Sequence, residues 1–404
     1  MSESASKVDG RSPAGPGQFI FTTQLKTIFS ILMFIGAAGL VVGLMRDPQR
    51  MWIAYLVAFF YFTTLALGGL FFTAVQHVTK AGWSVNIRRL VEAFSAFLPY
   101  AAVGAVGLLF GAPKLFEWFD KAKVAADPML AERTAYLSPT SFVIRLIIYF
   151  VGWILFSKIM IGQSVKQDET GDDNITNRLV KIAVGFLFFF ALSYSVFSID
   201  IIMGVQPDWS SNVFGVYTFA GLFQATMAFT ILIVLYLKKH NCLNGYVTED
   251  HLHDLGKFLF AFTVFWAYIA YAQYMLIWYA NIPIETSFII PRTEGLWIPI
   301  SLLLLIGKFI VPFLALLPRW AKRNSTHLAA VSIWILFMQY IDLYWLVYPA
   351  YFKQAPVFDP YEVCLFAGFL GLFLFAVSRF LSRHNLVPIR DPRIQESLHH
   401  HVTY

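Results

Sequence analysis

The chain has 404 residues, 58% hydrophobic and only 13% charged, with a formal net charge of +6. Soluble domains carry about 25% charged residues, so this composition excludes an ordinary water-soluble enzyme and points to a chain solvated largely by lipid. Two cysteines, Cys242 and Cys364, are too few for the four thiolates of an iron–sulfur cluster or for a disulfide framework.

The N-terminal stretch MSESASKVDGRSPAGPGQ is polar, small and rich in Pro and Gly, with no apolar core directly behind its basic residues. It reads as a tail rather than a cleaved signal. Crossing a hydrocarbon layer of about 30 Å takes about 20 apolar residues. On that criterion the chain is an all-α membrane protein with ten transmembrane helices, at 25–44, 52–78, 87–110, 143–164, 179–202, 213–237, 256–280, 296–317, 327–348 and 361–381. Alternation places both termini and the loops near 80, 170, 245 and 322 on one face. That face holds 19 of the 30 basic residues, among them Arg88, Arg89, Lys238, Lys239, Lys322 and Arg323. By the positive-inside rule both termini are cytoplasmic, and the net charge is an orientation signal rather than a sign of nucleic-acid binding.

Two connections invite local structure. Pro113 to Asp127 sets Leu115, Trp118 and Phe119 beside Lys114, Glu117, Asp120 and Lys121, a spacing that suits either an interfacial helix or an ordinary loop. Gln163 to Ile175 is polar and acidic and reads as a solvated loop.

An internal repeat is visible. Segment 153–162, WILFSKIMIG, resembles 303–312, LLLIGKFIVP, placing Lys158 over Lys308 at an offset of 150 residues. Asp200 then aligns with Asp342 at an offset of 142, the difference falling in the shorter connection around Arg319 to Thr326. GGLFFTAV, Gly68 to Val75, also matches AGLFQATM, Ala220 to Met227. Four crossings return the chain to its starting face, so the expected architecture is two parallel-repeat four-helix bundles plus peripheral spans. The divisions are a cytoplasmic tail at 1–24, a peripheral span at 25–44, a first bundle at 52–202, a second at 213–348, a peripheral span at 361–381 and a tail at 382–404.

Charged side chains at bilayer depth are disfavoured by roughly 2.5–3.5 kcal/mol each, so Lys158 with Asp200 and Lys308 with Asp342 call for an explanation. Each pair fits a buried ionic lock or a proton path, and both readings stand. Glu92 follows Arg88 by four residues, which fits a local ion pair or a proton entry point. Tyr55, Tyr100, Arg145, Tyr194 and Asp200 fall in the outer half of the first bundle. Lining one cavity, they would suit a quinone head group, which needs hydrogen-bond partners for two carbonyls and a base for its protons. Interfacial anchoring, common for tyrosines in any membrane protein, is the plainer reading of the tyrosines. In the seventh span Tyr271, Tyr274 and Trp278 share a face beside Gln273, as a packing stripe or as a ligand or partner surface.

All nine histidines lie at predicted cytoplasmic helix ends, loops or the tail, so no axial haem pair is expected within the bilayer. His251 and His253 beside Glu249, Asp250 and Asp254 read as a solvated helix start, and no metal is expected.

Asp254 to Thr286, DLGKFLFAFTVFWAYIAYAQYMLIWYANIPIET, together with Pro207 to Tyr217, PDWSSNVFGVY, resembles the NrfD-like, polysulfide-reductase-type membrane subunits. The resemblance extends over the ten-span layout and is nearest the second such subunit of the bacterial alternative complex III, a quinol oxidoreductase. One departure is Ile284 before Glu285, where the family pattern has two adjacent acids after Pro283. The resemblance implies a bacterial inner-membrane subunit with no cofactor bound by this chain, though a quinone or quinol fits the family. It also implies a sister NrfD-like subunit and periplasmic partners bearing haem c and iron–sulfur clusters. Asp200, Lys158, Lys308, Asp342 and Glu92 become expected proton half-channel residues. The rival readings are a secondary transporter, which the scarcity of Gly/Pro-broken spans disfavours, and a purely structural anchor.

Overall fold

The computed structural model describes residues 17–402, all helix, turn and loop, so most of the predicted N-terminal tail lies outside the described residues. Among the described residues, ten helices are long and apolar enough to cross a membrane: α1 (Thr23–Arg46), α2 (Pro48–Val78), α3 (Val85–Leu115), α4 (Pro139–Thr170), α5 (Asn174–Val205), α6 (Phe214–Lys239), α7 (Glu249–Ala280), α8 (Gly295–Leu316), α9 (Ser325–Tyr351) and α10 (Pro360–Leu381). All ten expected spans are present, mostly longer than composition indicated. The chain is a multi-pass membrane protein.

Helix α2 explains its own position. Its run MWIAYLVAFFYFTTLALGGLFF is apolar on every side, and a helix without a polar face is stable only when surrounded. It packs against α3, α5, α6, α9 and α10. Gly68 and Gly69 permit the closest approaches: an added Cβ would lie 1.9 Å from Thr226 Oγ1 at Gly68 and 2.7 Å from the Val91 carbonyl at Gly69. Helices α2, α3, α4 and α5 contact one another in a closed ring, as do α6, α7, α8 and α9.

Helices α1 and α10 pair along their lengths outside the rings. Gly36 of α1 and Gly368 of α10 meet backbone to backbone, so a Cβ on Gly36 would sit 2.4 Å from the Gly368 Cα. Without a hydrophobic drive between helices in lipid, close van der Waals contact is what holds α1. Gly36→Leu is therefore expected to detach α1 while leaving the rings folded. Protease or cysteine-accessibility mapping of α1 in membranes would register this, and an unchanged pattern would refute the account.

Three expectations change. Helix α4 runs to Thr170 and ends at Gly171, a left-handed residue with φ +67°, so Gln163 to Thr170 is helix rather than loop. Its last turn buries Gln167 and Asp168 because Asp168 meets Arg89 at 2.8 Å. The stretch after Pro113 is not one interfacial helix. Pro113 closes α3, then come a turn at Glu117–Phe119 and a short helix at Lys121–Ala126 capped by Asp120. Phe116, Trp118 and Phe119 fold inward onto Phe142, which takes them off any shared lipid-facing side. The 382–402 region is pinned rather than loose. Arg88 binds Asp391, Ser397 donates to the Trp83 carbonyl at 2.7 Å, and His400 meets Asp254 at 2.6 Å.

Candidate functional site

Helix α8 is broken in its middle. Leu304–Ile310 is a π-helical turn, and Pro312 supplies the reason. Proline has no N–H, and the N–H of Val311 reaches back to the Ile306 carbonyl instead of that of Gly307. The orphaned Gly307 carbonyl is taken by the Trp334 indole, which donates at 2.6 Å.

The bulge carries Lys308, fully buried. Its ammonium donates to Asp342 Oδ2 at 2.5 Å and to Gln339 Oε1 at 2.6 Å, and lies 4.4 Å from the Trp266 ring centre. The other Asp342 oxygen accepts from the Tyr217 hydroxyl at 2.5 Å, and the Trp266 indole donates to Oδ2 at 3.2 Å. Thus α6, α7, α8 and α9 each contribute a side chain to one buried network. The predicted Lys308–Asp342 pairing is present. Tyr217, Trp266 and Gln339 were not singled out from sequence, although Gln339 precedes Asp342 by three residues and so shares its helix face.

The predicted Lys158–Asp200 pairing is not made. Asp200 instead receives a two-pronged contact from Arg145, at 2.8 and 3.0 Å, and hydroxyls from Tyr136 at 2.8 Å and Tyr149 at 2.9 Å. Lys158 lies 13 residues beyond Arg145 on α4, about 20 Å along the axis, which no lysine stem can span. The signal missed was Arg145 with Tyr149, an i, i+4 pair that presents two donors on one face.

Of the five residues expected around a quinone, Arg145 and Asp200 are joined directly. Asp200 borders a 220 Å³ cavity with Arg133, Tyr136 and Trp209, but the other four are absent from its lining. Tyr55 donates to the Gly104 carbonyl at 2.8 Å, Tyr194 is buried against Phe190, and Tyr100 is half-buried.

Glu92 is fully buried and lies in a local ionic cluster. Arg89 approaches it at 3.1 Å and Arg88 at 3.8 Å, and Ser164 donates to it at 2.9 Å. The closer partner is thus Arg89 rather than the expected Arg88. Between α8 and α9, burial lowers the Lys322 pKa while its ammonium donates to the Leu316, Leu317 and Pro318 carbonyls at the end of α8. At the start of α7, His251 serves as a capping residue, its Nδ1 bonded to the Thr248 backbone N–H.

A cavity of 690 Å³ adjoins the Lys308–Asp342 network. Helix α7, the Pro283–Thr293 helix, α8 and α9 enclose it, with Tyr217 and Trp266 forming the wall shared with the network. Tyr268, Tyr271, Leu302 and Leu305 stand exposed at its rim, so it opens sideways into the apolar surface. The aromatic face predicted on the seventh span thus splits. Tyr271 and Tyr274 line the cavity, whereas Trp278 is exposed elsewhere. Gln273 is 7% exposed, also lines the cavity, and its Oε1 has no hydrogen-bond partner. A buried amide lacking partners is costly, so its placement favours a ligand that can hydrogen-bond to it.

No protein-family model matches this chain, and no curated protein matches it.

Proposed function

We propose that the chain is an integral subunit of a quinol-oxidising respiratory complex of the NrfD-like, polysulfide-reductase type. In this reading it sits in a bacterial inner membrane with both termini cytoplasmic. Its partners are a sister NrfD-like subunit and, on the other face, subunits that carry haem c and iron–sulfur clusters. The reading rests above all on one observation: Tyr217 and Trp266, both bonded to Asp342 of the buried Asp342–Lys308 pair, form one wall of a sideways-open aromatic cavity.

The cavity is of ligand size, within the usual range of about 300–1,000 Å³. Its lateral mouth suits a molecule that arrives through the lipid. Aromatic walls suit a flat head group, and the Gln273 amide offers it a hydrogen bond. Tyr217 and Asp342 then provide a route for a hydroxyl proton, with Lys308 holding the carboxylate ionised between transfers. The site thus belongs to the second ring of helices rather than the first. The two rings are read as a parallel repeat, a view supported by their matching neighbour order and by Gly68 abutting Leu222 and Thr226 within the matched segments.

A second reading, a purely structural lock, is favoured by one fact: the Lys308 ammonium and both Asp342 oxygens are already partnered. Purification from native membranes tests the assignment first, since the chain must co-purify with haem and iron–sulfur subunits. Isolation as a lone protein would remove the complex from consideration. In the purified complex, Gln273→Leu is expected to raise the KM for quinol, and Asp342→Asn to lower turnover by roughly a hundredfold, the low end for loss of a general acid–base group. Unchanged turnover in Asp342→Asn, with assembly intact, would favour the lock.

A further inference from the structure

Two polar levels on α4 bracket its passage through the membrane. Arg145 meets Asp200 at one level and Asp168 meets Arg89 at the other, 23 residues apart, or about 34 Å. That separation matches the hydrocarbon thickness of a bilayer. Lys158 lies between them, about 15 Å from the Asp168 level and about 20 Å from the Arg145 level. A lysine stem of five bonds reaches roughly 6 Å, so its ammonium arrives at neither.

Lys158 is also exposed, and among the described residues it has no hydrogen-bond or ion-pair partner. One turn further on, Gly162 faces open space, with nothing within 4 Å of an added Cβ. A 180 Å³ cleft runs beside both residues, bounded by Ser157 of α4 and by Ser95 and Pro99 of α3. Along the same side of α4, Val151, Leu155 and Ile159 are exposed. The result is an apolar strip with one unpaired cation at mid-depth and a glycine that admits close approach.

We propose that this strip seats a transmembrane helix of a partner subunit that carries a carboxylate at the level of Lys158. An unpaired ammonium facing hydrocarbon is heavily disfavoured, and its natural remedy is a counter-charge. Lipid phosphates lie at the bilayer surfaces, too far to supply one. Only another helix brings an anion to this depth with its own backbone satisfied. Gly162 lets that helix pack tightly, as small residues do at helix crossings in lipid. The cleft has room for the carboxylate side chain. The proposal stands independently of the quinol reading.

The test uses the full chain in its own membranes. A photoreactive benzoylphenylalanine is placed in turn at Leu155 and Ile159, and the adducts are mapped by mass spectrometry. The expected product is an apolar membrane segment of another protein with an Asp or Glu within one helical turn of the attachment point. Lys158→Glu should lower that adduct and co-purification of its bearer at least about tenfold, and so should replacing the partner's acid by lysine. Combining the two changes should restore both. Because Lys158 has no partner within the chain, the purified Lys158→Met protein should keep its melting temperature, which separates loss of partner from loss of fold. Adducts to lipid alone, a cross-linked segment without an acid, or adduct yields indifferent to Lys158→Glu would each overturn the proposal.

Discussion

Lys308→Met is expected to destabilise the protein by about 3–5 kcal/mol, because it strands the buried Asp342 carboxylate without its cation. Asp342→Leu alone should do comparable harm by stranding the ammonium. The double variant, Lys308→Met with Asp342→Leu, should recover most of the loss, since a buried ion pair replaced by apolar groups of similar volume is often neutral. Thermal unfolding of the purified variants, read as a double-mutant cycle, measures this directly. If both single variants melt like the wild type, the pair is hydrated and the buried network described here is wrong. The double variant also separates roles, because it removes every proton-binding group of the pair while leaving the fold nearly intact. Loss of the proposed quinol turnover in that variant would belong to the chemistry rather than to packing.

Glu92→Leu is the second large effect expected, at about 3 kcal/mol or more. Glu92 sits against two arginines that are themselves buried, Arg88 at 3% and Arg89 fully. Removing its charge leaves those cations repelling each other, with Asp391 and Asp168 as their remaining partners. Since Arg88 binds Asp391, the damage should spread to the 382–402 segment. Hydrogen exchange and limited proteolysis there should rise in Glu92→Gln, which loses the charge but keeps the Ser164 hydrogen bond, and more sharply in Glu92→Leu, which loses both. Protection of that segment unchanged in Glu92→Leu would mean the cluster does not clamp the terminus. A clamp of this kind does not need Glu92 to admit protons, and the geometry gives Glu92 a structural task whatever else it does.

The mixed success of the charged-pair expectation is instructive. Lys308 and Asp342 were legible because two opposite charges in adjacent apolar segments have few places to go but toward each other. Lys158 and Asp200 looked equivalent by spacing. The sequence alignment does not reveal depth to within a helical turn, and Arg145 stands at the level of Asp200 while Lys158 stands well below it. Tyr149, one turn from Arg145, then completes the carboxylate's set of donors, so Asp200 has no use for Lys158. The cavity was hidden for a different reason. It arises where Pro312 disrupts the hydrogen-bond ladder of α8 and where the Pro283–Thr293 helix folds back, and neither rearrangement follows from hydropathy.

What the sequence determined by itself is the number of crossings, because backbone groups in lipid must be satisfied within each helix and apolar runs of sufficient length can do nothing else. It also marked the residues whose charge at membrane depth would need a remedy: Lys158, Asp200, Lys308, Asp342 and Glu92. Tertiary structure alone decided which remedy each one found. Pairing depends on the rotation and depth of neighbouring helices, and these are set by contacts such as Gly68 with Thr226 and Gly36 with Gly368 that are distant in sequence. For Lys158 the described chain supplies no partner, and the proposed partner helix is what would supply one.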